Sequence, residues 1–468
     1  MNASTISPVS IDFERTDAYR RLDMTFYNPE RLTAVARLER GQGEVVTLER
    51  VLAEPPATGR TLPTADYVRK GDGIPIAKVA NLSPTFAVDW ERRTLVPSGY
   101  FDRSTKGELL PHDIVLLCAA HHTGYIGINT SIVADMPGEQ ASFVGELIRL
   151  RVDEDAIDPY YLTVLLNHDS VRAQLRNTVR GVTIHLYPQD IRTLALLRPE
   201  RPIQKRIGDL MRASCAARAE ARRLEEQVTA IFSRYLPLDE VDYAVSFDYT
   251  PQECAQHARL DANFFDARYR PFLDVPTIGI ARTLSAVVTR SIARGSQPEY
   301  DDAHGLVPVL KTTNVQNRRI DWARCRRVAE SFYDANPRAH LRRDDVVITS
   351  TGEGSWGRAA IVDADRAFAD GHLTILRVDP DVVDPYTLTA FLWSRYGRLQ
   401  FEQRVRGSTG QTEIYPRDIE QILAVIPAAD DQRSIRGMML DQFAALARAD
   451  GLKEQAVRDV DALIGDVA

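Results

Sequence analysis

The sequence has few cysteines and no long apolar run. Its four cysteines are scattered over 468 residues without a CxxC spacing, so we expect buried free thiols in a reducing cytoplasm. No stretch approaches the roughly 18 apolar residues of a transmembrane helix, and the N-terminus lacks the basic and apolar regions of a signal peptide. These absences predict a cytoplasmic protein that does not cross a membrane.

The sequence motifs of several catalytic classes are also missing. There is no phosphate-binding GxxxxGK[ST], no GxGxxG after a predicted strand and no GxSxG nucleophile motif. The DPPY-type motif of adenine methyltransferases is absent, because both DPY tripeptides introduce predicted helices, and no PD…(D/E)xK nuclease core can be placed. We therefore expect a non-catalytic chain that itself binds no cofactor and no metal.

Charge is distributed unevenly. The formal net charge of −7 argues weakly against a protein that coats nucleic acid non-specifically. The segment 282–343 nevertheless holds twelve basic and six acidic residues, a local charge of +6, and includes the adjacent Arg318 and Arg319. A solvated charged surface explains this segment about as well as a phosphate-binding face does.

The chain contains the same module twice. Six sequence blocks recur in the same order at offsets between 226 and 238 residues; one of them is HDIVLLCAAHHTGYIG from His112, which matches DDVVITSTGEGSWG from Asp344. In each copy, predicted strands come first, followed by a helix after DPY, a glycine-containing loop, a YPxDI turn, one more strand and a long helix. The pattern predicts an α+β fold with two mixed α/β modules.

The two long helices share one register. Between Pro202 and Pro237, apolar or small residues alternate at spacings of four and three, and Ile435 opens the same pattern 228 residues after Ile207. We expect the helices to pair as an antiparallel coiled coil, a rod of roughly 50 Å. The alternative is that each helix packs on its own module, but a strict seam of this length favours a free-standing rod.

The order of module, long helix, module and long helix resembles the specificity (S) subunit of type I restriction–modification systems. The predicted parts are a first module at 1–201, a helix at 202–237, an acidic linker at 238–256, a second module at 257–429 and a helix at 430–468. The resemblance is carried by the helix after DPY, the loop and turn GSTGQTEIYPRDI, and PAADDQRSI at the entry to the second long helix. The first copy departs from it, because GVTIHLYPQDI lacks the second glycine and the glutamine.

The resemblance implies a DNA-binding subunit whose two target recognition domains each read half of an asymmetric bipartite site in double-stranded DNA. Two methyltransferase subunits would dock on the helices, and restriction and translocase subunits would join through them. S-adenosylmethionine, Mg²⁺ and ATP would be bound by those partners. The expected rod spans between one and two turns of a duplex whose major groove recurs every ~34–36 Å.

Two alternatives to DNA reading stay open. An S-subunit-like scaffold or regulator in a related phage-defence system would keep the fold without reading DNA, and the net charge and the altered first loop favour it somewhat. A nuclease using Asp113, His121 and His122 is the third hypothesis. It is the weakest, because adjacent histidines on an extended segment point to opposite faces and no cysteine or carboxylate nearby completes a standard metal-ligand set.

Candidate DNA contacts fall at matching places in the two copies. Lys78 with Asn81, and Lys311 with Asn314, follow a strand; lysine can neutralise a phosphate, and asparagine can pair with adenine or simply hold a turn. The loops 119–127 and 350–357 differ where specificity loops should differ. The remaining candidates are His121, His122, Tyr125, Arg180 and His185 in the first copy, and Arg318, Arg319, Thr351, Ser355, Trp356, Arg406, Thr409 and Gln411 in the second.

Several of these residues have an ordinary structural alternative. Arg180 and Arg406 each stand beside a glycine, which suits a close approach to phosphate or a bidentate contact to guanine. Each could equally pair with the acid of the neighbouring YPxD turn. Trp356 could belong to the core. His185 could take the DNA-contacting role of Thr409 and Gln411, the polar residues of the second loop.

Overall fold

The computed structural model describes most of the chain. The described residues are 26–60, 63, 67–68, 73–91, 94–98, 107–180, 184–235, 250–269, 280–316, 319–352, 354–407 and 412–465. Three candidate contacts, Arg318, Thr409 and Gln411, lie outside these ranges, as does most of the predicted linker. The chain divides into two compact units, one formed by residues 1–219 with 446–468 and the other by residues 220–445.

The first unit combines short strands with helices. Its strands are β1 (Glu44–Thr47), β2 (Ala57–Thr58), β3 (Gly73–Ala77), β4 (Leu95–Pro97), β5 (Glu108–Leu109), β6 (Ile114–Leu117), β7 (Ala119–Ala120), β8 (Ser131–Ile132), β9 (Ala141–Phe143), β10 (Leu147–Leu150), β11 (Ile184–His185) and β12 (Ala195–Arg198). Its helices are α1 (Pro29–Glu39), α2 (Pro159–Asn167), α3 (Asp169–Arg176), α4 (Pro188–Ile191) and the first part of α5 (Arg201–Tyr235). Two four-stranded sheets have the orders β2-β10-β6-β8 and β4-β3-β9-β5, with β3 and β9 parallel.

The second unit has the same plan. Its strands are β13 (Ala281–Thr283), β14 (Ala293–Arg294), β15 (Val307–Leu310), β16 (Val315–Gln316), β17 (Arg319–Ile320), β18 (Arg326–Val328), β19 (His340–Leu341), β20 (Val346–Thr349), β21 (Ala359–Ile361), β22 (Ala367–Ala369), β23 (Leu373–Leu376) and β24 (Leu423–Val425). Its helices are α6 (Pro251–His257), α7 (Glu330–Ala335), α8 (Pro385–Trp393), α9 (Arg395–Arg404), α10 (Pro416–Glu420) and the first part of α11 (Ala429–Ile464). The sheet orders β14-β23-β20-β21 and β18-β15-β22-β19 repeat those of the first unit, again with one parallel pair, β15 and β22.

The predicted α+β class is confirmed, with several small sheets and two long helices that pack together. The single helix expected after each DPY is instead two helices. His168 and Ser394 take extended conformations (φ −69°, ψ 144° and φ −62°, ψ 164°) that end the first helix. Each side chain then accepts a hydrogen bond from a backbone N–H of the next helix, so these residues act as N-caps.

The long helices pair in antiparallel fashion within each unit. In the first unit, the hydroxyl of Ser214 donates to the carbonyl of Ala449 (2.7 Å). In the second, the Nε2 of Gln442 donates to the carbonyl of Ala221 (3.3 Å). As the residue number rises along α5, its partner number on α11 falls, which is the expected antiparallel order.

Each helix also packs on a module, so the expectation of a free-standing rod is incomplete. Ile207 and Met211 of α5 belong to the core of the first unit. Ile435 and Met439 of α11 belong to the core of the second. The buried stripe is therefore wider than a coiled-coil seam, because it serves two neighbours at once. The α11 helix continues through Gly451 without a break.

A buried aspartate joins the first module to its long helix. Asp158 caps α2 by accepting from the backbone N–H groups of Tyr160 (2.9 Å) and Tyr161 (3.0 Å). Its other oxygen pairs with Arg212 of α5, and its own N–H donates to the side chain of Gln204 (3.0 Å). Asp384 repeats this arrangement in the second unit with Arg436 (2.7 Å between Nη1 and Oδ2) and Gln432 (2.8 Å from the Asp384 N–H to Oε1).

The four cysteines are free thiols, as predicted. Cys118, Cys215 and Cys254 are buried, and Cys325 is partly buried. Burial raises the pKa of the Cys118 thiol to about 12 and that of Cys325 to about 11. Both thiols are therefore protonated and weakly nucleophilic at neutral pH.

Candidate nucleic-acid interface

Four segments that are far apart in the sequence meet along one edge of the first module. The N–H of Val144 donates to the carbonyl of Ala77 (3.0 Å). The N–H of Cys118 donates to the carbonyl of Glu146 (2.9 Å), and that of Leu186 donates to the carbonyl of Cys118 (2.8 Å). We refer to Lys78, residues 118–127, residues 144–147, Arg180 and residues 184–187 as the first loop edge.

The second module builds its edge with the same three bonds. The N–H of Asp370 donates to the carbonyl of Leu310 (2.9 Å), and that of Ser350 donates to the carbonyl of His372 (2.9 Å). The N–H of Ile414 donates to the carbonyl of Ser350 (2.8 Å). We refer to Lys311, residues 350–352 and 354–357, residues 370–373, residues 406–407 and residues 412–415 as the second loop edge.

The two predicted lysines lie at equal places, and each is held by a tyrosine that sequence reasoning missed. The Nζ of Lys78 lies 4.7 Å from the ring centre of Tyr67. The Nζ of Lys311 lies 5.5 Å from the ring centre of Tyr300. Each tyrosine stands eleven residues before its lysine, so the repeat alignment could have revealed the pair. A cation over an aromatic face keeps its charge and gains about 0.5–1 kcal/mol at an exposed site.

The asparagines beside these lysines hold turns. The Oδ1 of Asn81 accepts from the N–H of Lys78 (2.7 Å), and its Nδ2 donates to the carbonyl of Asp89 (2.6 Å). Asn314 does the same, with distances of 3.0 Å and 3.2 Å to its two partners. Both asparagines are buried. The geometry therefore favours the turn-holding alternative over the predicted contact with adenine.

Replacing Asn81 by alanine should lower the free energy of unfolding of the first unit by about 1–3 kcal/mol, because two buried backbone groups lose their partner. Asn314→Ala should have the same effect on the second unit. Lys78→Ala, which leaves the turn intact, is the matched control. Urea titration of the three variants checks this, and an Asn81→Ala variant as stable as the unaltered chain would contradict the structural role.

The first loop presents its predicted residues to solvent. His121 and His122 are exposed, and Tyr125 is 57% exposed. The Nδ1 of His122 accepts from the N–H of Gly124 (3.0 Å), which fixes the ring at the start of a short 3-10 turn. Three side chains that can hydrogen-bond or stack therefore project from one loop.

The second loop uses its predicted residues differently. The hydroxyl of Thr351 lies 2.9 Å from the Nδ1 of His372, an exposed residue that sequence reasoning missed. The hydroxyl of Ser355 donates to carbonyls within the loop, to Thr351 at 2.9 Å and Gly352 at 3.0 Å. Trp356 is partly buried against the core of the second module. Thr351 and His372 are therefore the outward pair, while Ser355 and Trp356 shape the loop.

The predicted arginines before the variable loops pair with the acid of the YPxD turn. Arg180 forms an ion pair with Asp190. Arg406 binds Asp418 with two bonds, Nε to Oδ2 at 2.9 Å and Nη2 to Oδ1 at 2.7 Å. Both pairs join the last segment of each edge to the helix that follows it. Of the roles considered for these arginines from the sequence, the structure shows pairing with the aspartate of the YPxD turn.

His185 occupies the position of Glu413 in the second copy, while Thr409 and Gln411, whose reading role it was predicted to share, lie outside the described residues. The backbone of His185 forms two hydrogen bonds with that of Arg180 (2.9 and 3.2 Å). The backbone of Glu413 forms the same two bonds with that of Arg406 (2.8 Å for both). Glu413 also forms an ion pair with Arg294.

A tyrosine is exposed at the end of each edge, and sequence reasoning missed both. Tyr187 and Tyr415, from the two YPxD turns, are 40% and 38% exposed. The guanidinium carbons of Arg294, Arg406 and Arg417 lie 5.4, 5.9 and 5.7 Å from the ring centre of Tyr415. The YP dipeptide that occurs at the same place in both copies could have identified these two tyrosines from the sequence. An exposed ring among cations suits contact with the sugar–phosphate backbone.

Ion pairing reduces the free charge of the basic segment 282–343. Arg326 binds Asp302 (2.8 Å from Nη2 to Oδ2), and Arg343 binds Asp365 (2.7 Å from Nε to Oδ1). Arg319 lies in β17 and is partly buried. The segment is thus largely a network of surface pairs, closer to the solvated-surface alternative than to a continuous phosphate-binding face.

The residues of the nuclease hypothesis do not come together. Asp113 is buried at the start of β6 and binds Arg151 with two bonds, Oδ1 to Nε at 2.8 Å and Oδ2 to Nη2 at 2.7 Å. His121 and His122 lie in the loop beyond the other end of that strand. Within the described ranges, no group of three or more His, Cys, Asp or Glu side chains is arranged to hold a metal.

No helix in the described part of the chain is both long and apolar enough to cross a membrane.

Comparisons with known proteins give matches only at the level of structure. No family model matches the sequence, and the search of curated proteins gives no match. The crystal structure of the type I restriction–modification system S subunit from M. genitalium aligns over 91% of this chain and 96% of its own, with 13% identity and a TM-score of 0.43. The HsdS subunit from Thermoanaerobacter tengcongensis aligns over 91% and 97%, with 15% identity and a TM-score of 0.29.

A third match is to a chain in a structure on complex assembly and conformational transition of the type I R–M system. It aligns over 92% of this chain and 99% of its own, with 14% identity and a TM-score of 0.29. All three of these solved structures come from type I restriction–modification systems. Their identities to this chain are 13–15%, and their TM-scores are below 0.5.

Proposed function

We propose that this chain is a sequence-specific DNA-binding subunit of a type I restriction–modification complex, reading an asymmetric bipartite site. One observation carries the proposal: two loop edges are built by the same backbone hydrogen bonds but present different side chains. Two half-sites of different sequence require two DNA-binding edges with the same backbone structure but different side chains facing the bases.

In this proposal, residues shared by the two modules contact the DNA backbone, and residues that differ between them contact the bases. Lys78 and Lys311, each beside a tyrosine, occur in both edges, as do Tyr187 and Tyr415. Groups that are the same in both modules suit the phosphates and sugars, which are the same in every sequence. The loops 119–127 and 350–357 differ, and base edges in the grooves are where sequence is read.

Partner subunits supply the chemistry in this proposal. Two methyltransferase subunits bind the long-helix pairs and carry S-adenosylmethionine, and restriction and translocase subunits use Mg²⁺ and ATP. The absence of the sequence motifs sought in this chain is consistent with that division. An open groove on α5 is lined by Pro202, Lys205, Asp209 and Leu210, and its surface is mainly apolar with charged side chains beside it, which suits a protein partner.

The salt dependence of DNA binding tests the proposal. Affinity of the full-length chain for a labelled duplex should fall steeply between about 50 and 200 mM salt, because each neutralised phosphate releases counterions. Lys78→Ala and Lys311→Ala should each make the negative slope of log K against log[salt] shallower by about 0.9. Lys205→Ala, an exposed lysine on α5, should leave the slope unchanged.

A scaffold that keeps the fold without reading DNA is the second candidate. The net charge of −7 and the shorter first variable loop favour it. A scaffold predicts no salt-dependent affinity for duplex DNA and no effect of either lysine substitution. Fluorescence anisotropy of the labelled duplex with the unaltered chain therefore separates the two functions.

A further inference from the structure

The two loop edges contain the same tight turn with one exposed side chain that differs. In the first edge, the N–H of Leu147 donates to the carbonyl of Val144 (3.0 Å), closing a turn that carries Glu146. In the second, the N–H of Leu373 donates to the carbonyl of Asp370 (2.9 Å). The turn's first and last residues are buried in both modules. The residue at its outer position is exposed in both, Glu146 in one and His372 in the other.

This outer position is fixed relative to the specificity loop. The carbonyl of Glu146 accepts from the N–H of Cys118 (2.9 Å), which directly precedes the loop 119–127. The carbonyl of His372 accepts from the N–H of Ser350 (2.9 Å), the first residue of the loop 350–357. The next strand begins immediately afterwards, with β10 at Leu147 and β23 at Leu373. A side chain held by a sheet on one side and a bonded loop on the other is positioned more rigidly than one at a loop tip.

Glutamate and histidine have opposite hydrogen-bonding capacity. An ionised glutamate only accepts hydrogen bonds, whereas an imidazole can donate one. In the major groove, cytosine and adenine present exocyclic amino groups as donors, and guanine presents only the acceptors N7 and O6. A glutamate at this position therefore suits cytosine or adenine, and a donating histidine at the equivalent position suits guanine.

The surroundings of each side chain are consistent with this reading. The Nδ1 of His372 lies 2.9 Å from the hydroxyl of Thr351. In the tautomer in which the hydroxyl donates to Nδ1, Nε2 carries the ring proton and is the nitrogen that can donate to a base. In the other module, burial and then the charge of Glu146 raise the pKa of Tyr67, the ring under Lys78. The carboxylate of Glu146 therefore lies close enough to Tyr67 for its charge to act on that ring.

We infer that Glu146 and His372 are the specificity-determining residues at one corresponding base position of each half-site. Glu146 accepts from the amino group of cytosine or adenine, and His372 donates to N7 or O6 of guanine. The inference rests on the proposed function and goes further by assigning chemistry to a position outside the specificity loops.

Selection from a pool of randomised duplexes tests the inference. The unaltered full-length chain, Glu146→Ala and His372→Ala, which remove every hydrogen-bonding group of the two side chains, are each used to enrich bound duplexes, which are then sequenced. Each substitution should weaken the preference at one position of one half-site by roughly 5- to 150-fold, the effect of one good base contact, and leave the other half-site unchanged.

Two matched controls use exposed residues of the same type in the same modules. Glu139→Ala and His304→Ala should leave every position of the selected sequence unchanged. Thermal melts of all four variants should coincide with that of the unaltered chain, because none of the side chains is buried.

The outcomes separate the inference from the function on which it rests. If the unaltered chain selects a sequence and His372→Ala weakens binding to all sequences equally, His372 contacts phosphate and the inference fails. An unchanged preference in Glu146→Ala likewise overturns it. In both cases the proposed function stands. If the unaltered chain selects no sequence, the proposed function fails and the inference fails with it.

Discussion

Replacing Asp158 by alanine is expected to lower the free energy of unfolding of the first unit by about 1–3 kcal/mol. Asp158 is only 3% exposed and caps α2 through two backbone N–H groups. Loss of an N-cap typically costs about 0.5–2 kcal/mol, and loss of the partly exposed ion pair with Arg212, which Asp209 also binds, adds up to about 1 kcal/mol. Asp384→Ala should act in the same way on the second unit.

Asp209 provides the control, because it binds the same arginine from an exposed position. Its carboxylate lies 2.8 Å from the Nη1 of Arg212, but its side chain is 54% exposed. Asp209→Ala should therefore cost less than about 1 kcal/mol. Hydrogen exchange followed by mass spectrometry reports α2 separately from the second unit. Equal protection of α2 in Asp158→Ala and Asp209→Ala would contradict the anchoring role.

Replacing Phe391 by alanine should lower the free energy of unfolding of the second unit by about 3–5 kcal/mol, the usual cost of removing a buried aromatic ring. Phe391 of α8 is fully buried, and its ring centre lies 5.6 Å from that of Phe232 of α5 in an edge-to-face arrangement. The pair joins the second module to the long helix. A helix that only paired with α11 would not need it.

Leu440→Ala is the matched control for this second prediction. Leu440 lies on α11 but is 44% exposed, so its truncation should cost less than about 1 kcal/mol. Urea unfolding of Phe391→Ala, Phe232→Ala and Leu440→Ala checks the difference. If both phenylalanine variants unfolded at the urea concentration of the leucine variant, the long helix would not be part of the second module's core.

The sequence predicts the fold better than the site because periodicity reports burial. The α5 and α11 register and most buried strands follow from apolar spacing, which any packed core imposes. The same periodicity could not show that Met211 and Met439 pack on the modules. Pairing with another helix and packing on a module both require apolar residues, so the two look alike in sequence. The breaks at His168 and Ser394 were missed since a single capping residue barely disturbs the pattern of two consecutive helices.

The site was harder to predict because tertiary hydrogen bonds assemble it. Lys78 and Lys311 were found from their equal positions in the repeat, but an asparagine that holds a turn and one that faces a base look alike in sequence. Glu146 and His372 carry no motif, and their nearness to the loops depends on backbone bonds to Cys118 and Ser350. Comparing the copies position by position, rather than seeking motifs, would have identified them.

The most direct test of the account is the sequence that the unaltered full-length chain selects from randomised duplexes. Two equivalent edges with different side chains predict a motif in two parts, separated by a spacer of fixed length, in which the parts are not inverted copies of each other. A symmetric motif would show that the differences between the edges do not read bases. No enrichment at any salt concentration would contradict DNA reading by this chain altogether.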